Sequence, residues 1–190
     1  MAEDQSLKGM RVAIVATNGV EEIELIEPRE ALEAAGAETM LVAPHEGEIM
    51  SFNHHDKSEP YAIDATLEEV EPTDFDAVYL PGGTLNADSL RLEPGLQRLL
   101  QDSDNAGKPI GFMCHAPWAL ASAGLLEGRN ITSFTTLADD MRNAGADWVD
   151  EAVVTDANFI SSRKPDDLPK FVPALIAHFK QSFGAGQRPV

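Results

Sequence analysis

The chain of 190 residues contains a single cysteine, Cys114. A lone thiol cannot form an internal disulfide, so its chemistry would be that of a nucleophile, a redox sensor or a metal ligand. The stretch Pro109-Ile-Gly-Phe-Met-Cys114-His115 predicts that a buried strand breaks into a helix at this cysteine. That position favours a nucleophile or a sensor, because the helix end is expected to lower the thiol pKa. The alternative is a small buried apolar residue.

Long apolar runs and basic residues are also scarce. No apolar run is long enough for a membrane span, and the acidic N-terminus, Met1-Ala-Glu-Asp-Gln-Ser6, does not resemble a signal peptide. We therefore expect a cytoplasmic protein. Only 14 Lys and Arg stand against 32 Asp and Glu, giving a net charge of -18. Such a chain repels phosphates, so neither stable nucleic-acid binding nor membrane binding is expected.

Short apolar runs alternate with helical patterns, which predicts an α/β domain with a mostly parallel sheet covered by helices. The domain is expected over residues 9–183, between a flexible N-terminus (1–8) and a flexible tail (184–190). The polar stretch 46–60 is interpreted as an edge hairpin or a loop. Strands are predicted at 11–17, 37–43, 75–80, 131–134, 149–155 and 158–162, with one more leading into Cys114, and helices at 21–35, 84–103, 117–123 and 166–183.

Three loops at the carboxyl ends of predicted strands carry unusual residues, and ligands bind at this edge of parallel sheets. The first loop leads into an acidic helix start in which Glu21 and Glu24 share a face while Glu22 points elsewhere. These acids could simply complement the helix dipole. Alternatively, one of them faces the thiol and holds a proton, donates a hydrogen bond that lowers the pKa of the thiol, and can later act as a general acid. A phosphate would be repelled here, so no nucleotide cofactor is expected.

The second and third loops supply the remaining candidate residues. Gly82 and Gly83 could serve turn geometry, or an N–H group there could form an oxyanion hole with the N–H after the nucleophile. His115 is the candidate acid or base and needs an orienting carboxylate. Asp88 could supply it from the neighbouring loop or another subunit, although it could equally be an N-cap or first-turn acid.

A metal site is not expected. The run His54-His55-Asp56 lies in a polar loop and lacks the ligand spacing of a zinc site.

The ordered motifs together resemble the ThiJ/PfpI family of the class I glutamine amidotransferase-like superfamily, over about residues 9–183. The branch most similar is that of PfpI and the bacterial general-stress proteins. Two departures are Ala116, where many relatives have Gly, and a longer loop at Asn53 and His54. The motifs are Val20-Glu-Glu-Ile-Glu-Leu25, Phe75-Asp-Ala-Val-Tyr-Leu-Pro-Gly-Gly83, Lys108-Pro-Ile-Gly-Phe-Met-Cys-His-Ala-Pro117, Asp139-Asp-Met-Arg-Asn-Ala-Gly145, Trp148-Val-Asp150 and Phe159-Ile-Ser-Ser-Arg163.

The resemblance implies a flavodoxin-like three-layer α/β/α sandwich with Cys114 as nucleophile at a strained elbow. It also implies a hydrogen bond between Glu24 and the sulfur, and His115 paired with an acid across a subunit interface, which Asp88 looks placed to supply. Glu21, Gly82 and Gly83 would contact substrate. A homodimer is expected, and in some relatives dimers build hexamers.

The implied function is a cofactor-independent stress-response enzyme acting on reactive carbonyls or glycated proteins, as a deglycase or glyoxalase. One alternative is an intracellular cysteine peptidase. Another is a non-enzymatic redox sensor or chaperone acting through Cys114 oxidation.

Overall fold

The computed structural model describes residues 5–186, with side chains through residue 183. Twelve strands and six α-helices follow one another along it. The strands are β1 (Arg11–Val15), β2 (Val20–Glu21), β3 (Glu38–Ala43), β4 (Glu48–Asn53), β5 (Asp56–Ala62), β6 (Ala65–Thr66), β7 (Ala77–Leu80), β8 (Ile110–Met113), β9 (Asn130–Ile131), β10 (Asp147–Trp148), β11 (Val153–Asp156) and β12 (Phe159–Ser162). The helices are α1 (Glu22–Ala34), α2 (Thr84–Leu90), α3 (Pro94–Asn105), α4 (Pro117–Ser122), α5 (Ala138–Asn143) and α6 (Leu168–Gly186).

A seven-stranded sheet forms the centre of the molecule, in the order β11-β12-β8-β7-β1-β3-β6. All neighbouring pairs are parallel except β11 and β12. The sheet is covered by helices on both faces, which is why β1, β7 and β8 are apolar and buried along nearly their whole length. The predicted α/β class with a mostly parallel sheet is confirmed.

Each face of the sheet packs against its own group of helices. On one face, α3, α4 and α5 contribute Leu99, Leu120 and Met141 to a buried cluster with alternate strand residues. On the other, α1 contributes Leu25 and α6 contributes Phe171 to a second buried cluster. The result is the expected three-layer sandwich, with the carboxyl ends of β1, β7 and β8 along one edge of the sheet.

The polar stretch after β3 forms a hairpin, but not at the edge of the central sheet. Strands β4 and β5 pair antiparallel, and β4 pairs in parallel with β2 to make a separate three-stranded sheet. The turn of the hairpin lies between Asn53 and Asp56, so it extends toward the loop that follows β1.

The helix predicted after Gly83 is instead two helices, because α2 ends at Leu90 and α3 begins at Pro94. Proline disfavours helical backbone in the residue before it, yet fits the first position of a new helix. The strands predicted at 131–134 and 149–155 are also misplaced, since β9 covers residues 130–131 and β10 and β11 flank an irregular segment at 149–152. Helix α5 lies where no element was predicted.

Within the segment predicted to be a flexible N-terminus, Leu7 is fully buried and its N–H donates to Ala35 O at 2.9 Å. Helix α6 continues to Gly186, three residues into the predicted tail. Residues 1–4 and 187–190 lie outside the described part of the chain. Within that part, no helix combines the length and apolarity that crossing a membrane would require.

Candidate active site

Cys114 occupies a sharp turn between β8 and α4. Its backbone has a positive φ of 58°, a conformation rare for residues other than glycine. Two hydrogen bonds hold the turn: the Cys114 N–H donates to Ser162 O at 3.1 Å, and the Phe134 N–H donates to Cys114 O at 2.8 Å. The residue is only 6% exposed. The segments at Phe134 and Ser162 thus hold the backbone of this turn in place at the carboxyl edge of the sheet.

Glu24 lies in the first turn of α1 with no exposed surface. Its Oε2 accepts a hydrogen bond of 2.8 Å from the Gly82 N–H, while its buried Oε1 has no hydrogen-bond partner of ordinary geometry among the described residues. Burial raises the pKa of Glu24 to about 8, against smaller opposing effects of the Gly82 N–H and the Cys114 thiol. Near neutral pH this carboxyl therefore carries a proton, as one of the two sequence interpretations requires.

The expectation that the helix end lowers the thiol pKa is wrong for Cys114. Burial raises the pKa of the thiol, and the Glu24 carboxylate raises it further. The backbone N–H groups of Gly83 and His115 donate toward the sulfur and lower the pKa, but their effect is smaller. Helix α4 has only six residues, so its dipole is weak. The effect of Glu24 on the pKa of the thiol depends on its protonation. An ionised carboxylate raises this pKa, whereas a neutral carboxyl lowers it because it can donate a hydrogen bond to the thiolate.

The turn after β7 brings two glycines against these groups. A Cβ on Gly82 would collide with Cys114 and with the Glu24 carboxyl, so only glycine fits there. Because the Gly82 N–H donates to Glu24, it is not free to act as the predicted oxyanion donor. Gly83 has a φ of 96°, and its N–H points toward the Cys114 sulfur. Among the described residues, Gly83 and His115 therefore supply the backbone N–H groups that face the Cys114 sulfur.

Asn86 braces this turn and was missed by the sequence analysis. It is fully buried in α2, where its Oδ1 accepts the Thr17 N–H at 2.7 Å. Its Nδ2 donates to Pro81 O at 3.1 Å and to Gly82 O at 2.9 Å. Its burial could have been predicted, because Asn86 lies four residues before Leu90 and therefore on the same face of the helix, and Leu90 is buried.

His115 lies on the outer side of the thiol. Its Nδ1 is 3.2 Å from Cys114 Sγ, and its Nε2 is 3.3 Å from Thr84 Oγ1. The ring stacks on Phe134 with centroids 4.8 Å apart and meets Trp118 edge-on at 5.4 Å. Burial lowers the pKa of His115, which favours the neutral ring.

Asp88 does not orient this ring within the chain. It is an exposed residue in the interior of α2, so neither an N-cap nor a first-turn role applies. Among the described residues, no carboxylate hydrogen-bonds to His115, whose Nε2 instead faces Thr84. The role of Asp88 across a subunit interface stays a prediction.

Glu21 and Glu22 diverge as predicted. Glu21 is 9% exposed and accepts the His54 N–H at 3.2 and 3.3 Å, and the His54 Nδ1 lies 3.6 Å away. Glu22 turns toward the hairpin and accepts hydrogen bonds from the hydroxyls of Ser58 and Tyr61. Only Glu21 therefore accompanies Glu24 toward the thiol.

Glu21, Glu24, Cys114 and His115 line one cleft of about 720 Å³. Its walls combine apolar, acidic, basic and histidine side chains from the first loop, the hairpin, α2 and the segment after β12. The other lining residues are Gly19, Phe52, His54, His55, Gly83, Thr84, Leu85, Phe134, Lys164, Pro165 and Asp166. Among residues 5–186, no group of three or more His, Cys, Asp or Glu is arranged to hold a metal ion.

The protein is thus an α/β protein with a flavodoxin-like sandwich, and a buried cysteine at a strand-to-helix turn lines its cleft. The chain belongs to the DJ-1/PfpI family, whose model matches residues 10–178. The resemblance found in the sequence motifs is thereby confirmed.

Curated relatives agree with this assignment, and a solved structure shares the fold. The chain is similar to Deglycase PfpI from Pyrococcus furiosus, with 37% identity covering 90% of this chain and 100% of the relative. It is 35% identical to General stress protein 18 from Bacillus subtilis, covering 86% of this chain and 94% of that protein. The crystal structure of Drosophila melanogaster DJ-1beta shares the fold, with a TM-score of 0.80 at 23% identity over 95% of this chain and 99% of that one.

Proposed function

We propose that this protein is a cofactor-independent deglycase that removes reactive-carbonyl adducts from proteins, with Cys114 as nucleophile. The observation that carries the proposal is the pairing of a buried thiol with a buried, protonated carboxyl in a cleft of about 720 Å³. Relatives of similar length that are named deglycases support the choice of substrate. The cleft far exceeds the size of free methylglyoxal, so it has room for an adduct together with part of its side chain.

In the proposed reaction, the Cys114 sulfur replaces the amine or thiol at the carbinol carbon of the bound adduct, which gives a hemithioacetal of Cys114. Transfer of a proton from this carbon to the neighbouring ketone carbon turns the hemithioacetal into a thioester. Attack of water on the thioester releases lactate and the free thiol. The N–H groups of Gly83 and His115 already point toward the sulfur, where they would stabilise the negative oxygen formed by attack. Protonated Glu24 is the general acid for the departing amine or thiol, and neutral His115 accepts and returns protons.

The overall reaction needs no external oxidant or reductant. One water is consumed for each methylglyoxal adduct, the amine or thiol is released, and the three-carbon fragment leaves as lactate. Its aldehyde carbon is oxidised to the carboxyl level while the neighbouring ketone is reduced to an alcohol. An internal rearrangement of this kind suits a site built from a thiol and proton carriers.

A side-by-side assay tests the function. Purified protein is incubated with methylglyoxal-modified N-acetylarginine and N-acetylcysteine, with free methylglyoxal and with casein, and lactate and peptides are measured. We expect lactate from the adducts in the wild type and none with Cys114→Ser. Lactate from free methylglyoxal alone would favour a glyoxalase, and casein cleavage would favour a peptidase. No turnover of any substrate, with a thiol that oxidises readily, would favour a sensor.

We further propose a homodimer in which Asp88 orients His115 of the other subunit. Two observations support this arrangement: Asp88 is exposed on α2, and no carboxylate among the described residues of its own chain hydrogen-bonds to His115. Mixing Asp88→Ala with Cys114→Ser protein, with subunit exchange verified by mass, should restore one complete site per mixed dimer. Confirmed mixed dimers without recovered turnover would show that Asp88 does not act in trans.

A further inference from the structure

Glu21 is the charged group of the cleft that no lysine or arginine neutralises in the described part of the chain. Its side chain is 12% exposed, and its partners are the His54 N–H and, at 3.6 Å, the His54 ring. Lys164, the basic residue of the cleft wall, is instead paired with Asp166 at 3.1 Å. A nearly buried carboxylate with so few donors can accept further hydrogen bonds from a ligand.

The remaining groups beside the thiol are neutral near pH 7. Glu24 is protonated because burial raises its pKa to about 8, and burial of His115 lowers the pKa of its ring. Glu21 also favours the protonated form of Glu24, because its negative charge raises the Glu24 pKa. The cleft thus presents one carboxyl that can donate a proton and one that carries a charge.

We infer that Glu21 is a cation-binding group of the cleft and that the preferred substrates are adducts on guanidinium or ammonium side chains. The inference rests on the proposed function, because it names which glycated side chains the same site takes. Glu21 directly precedes α1 and Glu24 lies in its first turn; both line the same cleft, and they are close enough for the charge of Glu21 to raise the pKa of Glu24. When the departing nitrogen of an arginine adduct meets Glu24, the other guanidinium nitrogens can reach Glu21.

Adducts on cysteine lack this second contact. A hemithioacetal carries no positive charge, and its sulfur offers no donor to a carboxylate. Free methylglyoxal is likewise neutral. The net charge of -18 also draws basic peptides toward the protein and repels acidic ones. The local site and the overall charge therefore favour the same substrate class.

The charge preference of the cleft can be measured without any turnover. Cys114 is modified with cationic aminoethyl methanethiosulfonate and with anionic sulfonatoethyl methanethiosulfonate at fixed pH and ionic strength. Both reagents are attacked by the same sulfur, which forms a disulfide and expels a sulfinate. The ratio of the two rates therefore cancels any change in the thiolate fraction.

The variant Glu21→Gln removes the charge and keeps an oxygen for the His54 N–H. The matched control is Glu22→Gln, which removes the same formal charge from the adjacent residue, whose side chain faces the hairpin. We expect Glu21→Gln to lower the ratio of cationic to anionic rates by about fivefold more than Glu22→Gln. Equal effects of the two substitutions would overturn the assignment of Glu21.

Turnover then tests the substrate class. The wild type is expected to have a higher kcat/KM for the N-acetylarginine adduct than for the N-acetylcysteine adduct, and Glu21→Gln to abolish that preference. Equal wild-type efficiencies would refute the inference while leaving the deglycase function intact. Failure to turn over either adduct would refute the proposed function, whereas the reagent ratio would still decide whether Glu21 binds cations.

Discussion

The protonation state of Glu24 makes a specific prediction for stability. In the folded chain burial raises the pKa of Glu24 from 4.5 to about 8. Below pH 4.5 the carboxyl is protonated in both the folded and the unfolded chain, so it imposes no charge-burial cost. As the pH rises toward 8, the unfolded chain ionises first, and stability is lost at about 1.4 kcal/mol per pH unit. Over the whole window the loss is of order 5 kcal/mol.

The substitution Glu24→Gln removes this loss, because an amide of the same shape does not ionise. Urea unfolding followed by tryptophan fluorescence at several pH values would give the free energy of unfolding of both proteins. We expect the two to be similar near pH 5 and the wild type to fall progressively behind the variant up to about pH 8. A difference that did not change with pH would show that Glu24 titrates at an ordinary value and would refute its role as a proton donor.

Three further predictions concern the thiol and the turn beside it. Gly83→Ala should lower the free energy of unfolding by about 1–3 kcal/mol, because φ is 96° and the new Cβ would meet backbone; unchanged urea unfolding would contradict this. Asn86→Ala should slow iodoacetamide alkylation of Cys114, because it loosens the turn that Asn86 holds through Gly82 O. The control Asn158→Ala removes an amide that donates to Lys108 O at the opposite end of β8, and it should leave the alkylation rate unchanged. Equal rates in the two variants would refute a positioning role for Asn86. Burial disfavours the Cys114 thiolate, but the neutral Glu24 carboxyl can donate a hydrogen bond to it, so graded peroxide should convert Cys114 to the sulfinate, seen as two added oxygens by mass spectrometry; an unmodified thiol beside oxidised methionines would contradict this stabilisation.

The sequence predicted the architecture because parallel strands buried on both faces leave a strong signal. Residues 11–15, 77–80 and 110–113 are nearly uninterrupted apolar runs, and each is followed by a loop with glycine, acid or cysteine. Strands of two residues, such as β2 and β9, are too short to show any periodicity. The division between α2 and α3 could have been predicted from Pro94.

The electrostatics of the site could be predicted only in part. The spacing of Glu21, Glu22 and Glu24 predicted their directions correctly, although Glu21 precedes α1 and lies in β2, which pairs with β4. The direction of the Cys114 pKa shift could not be predicted, because the burial that raises the pKa depends on how α1, the glycine turn and the turn at Cys114 close around the sulfur. The same holds for Asn86, whose three partners come from segments that only the folded chain brings together.

One wall of the cleft comes from the sheet formed by β2, β4 and β5, which is separate from the central sheet that carries the thiol. Phe52, His54 and His55 reach the cleft from this hairpin, which contacts the rest of the chain through the pairing of β4 with β2 and through hydrogen bonds of Ser58 and Tyr61 to Glu22. Insertions or deletions at the hairpin tip would therefore reshape one side of the cleft without disturbing the central sheet or the thiol. Evolution can thus exchange the recognition surface while the reactive centre stays constant, and grafting a relative's hairpin onto this chain is a direct route to altered substrate range.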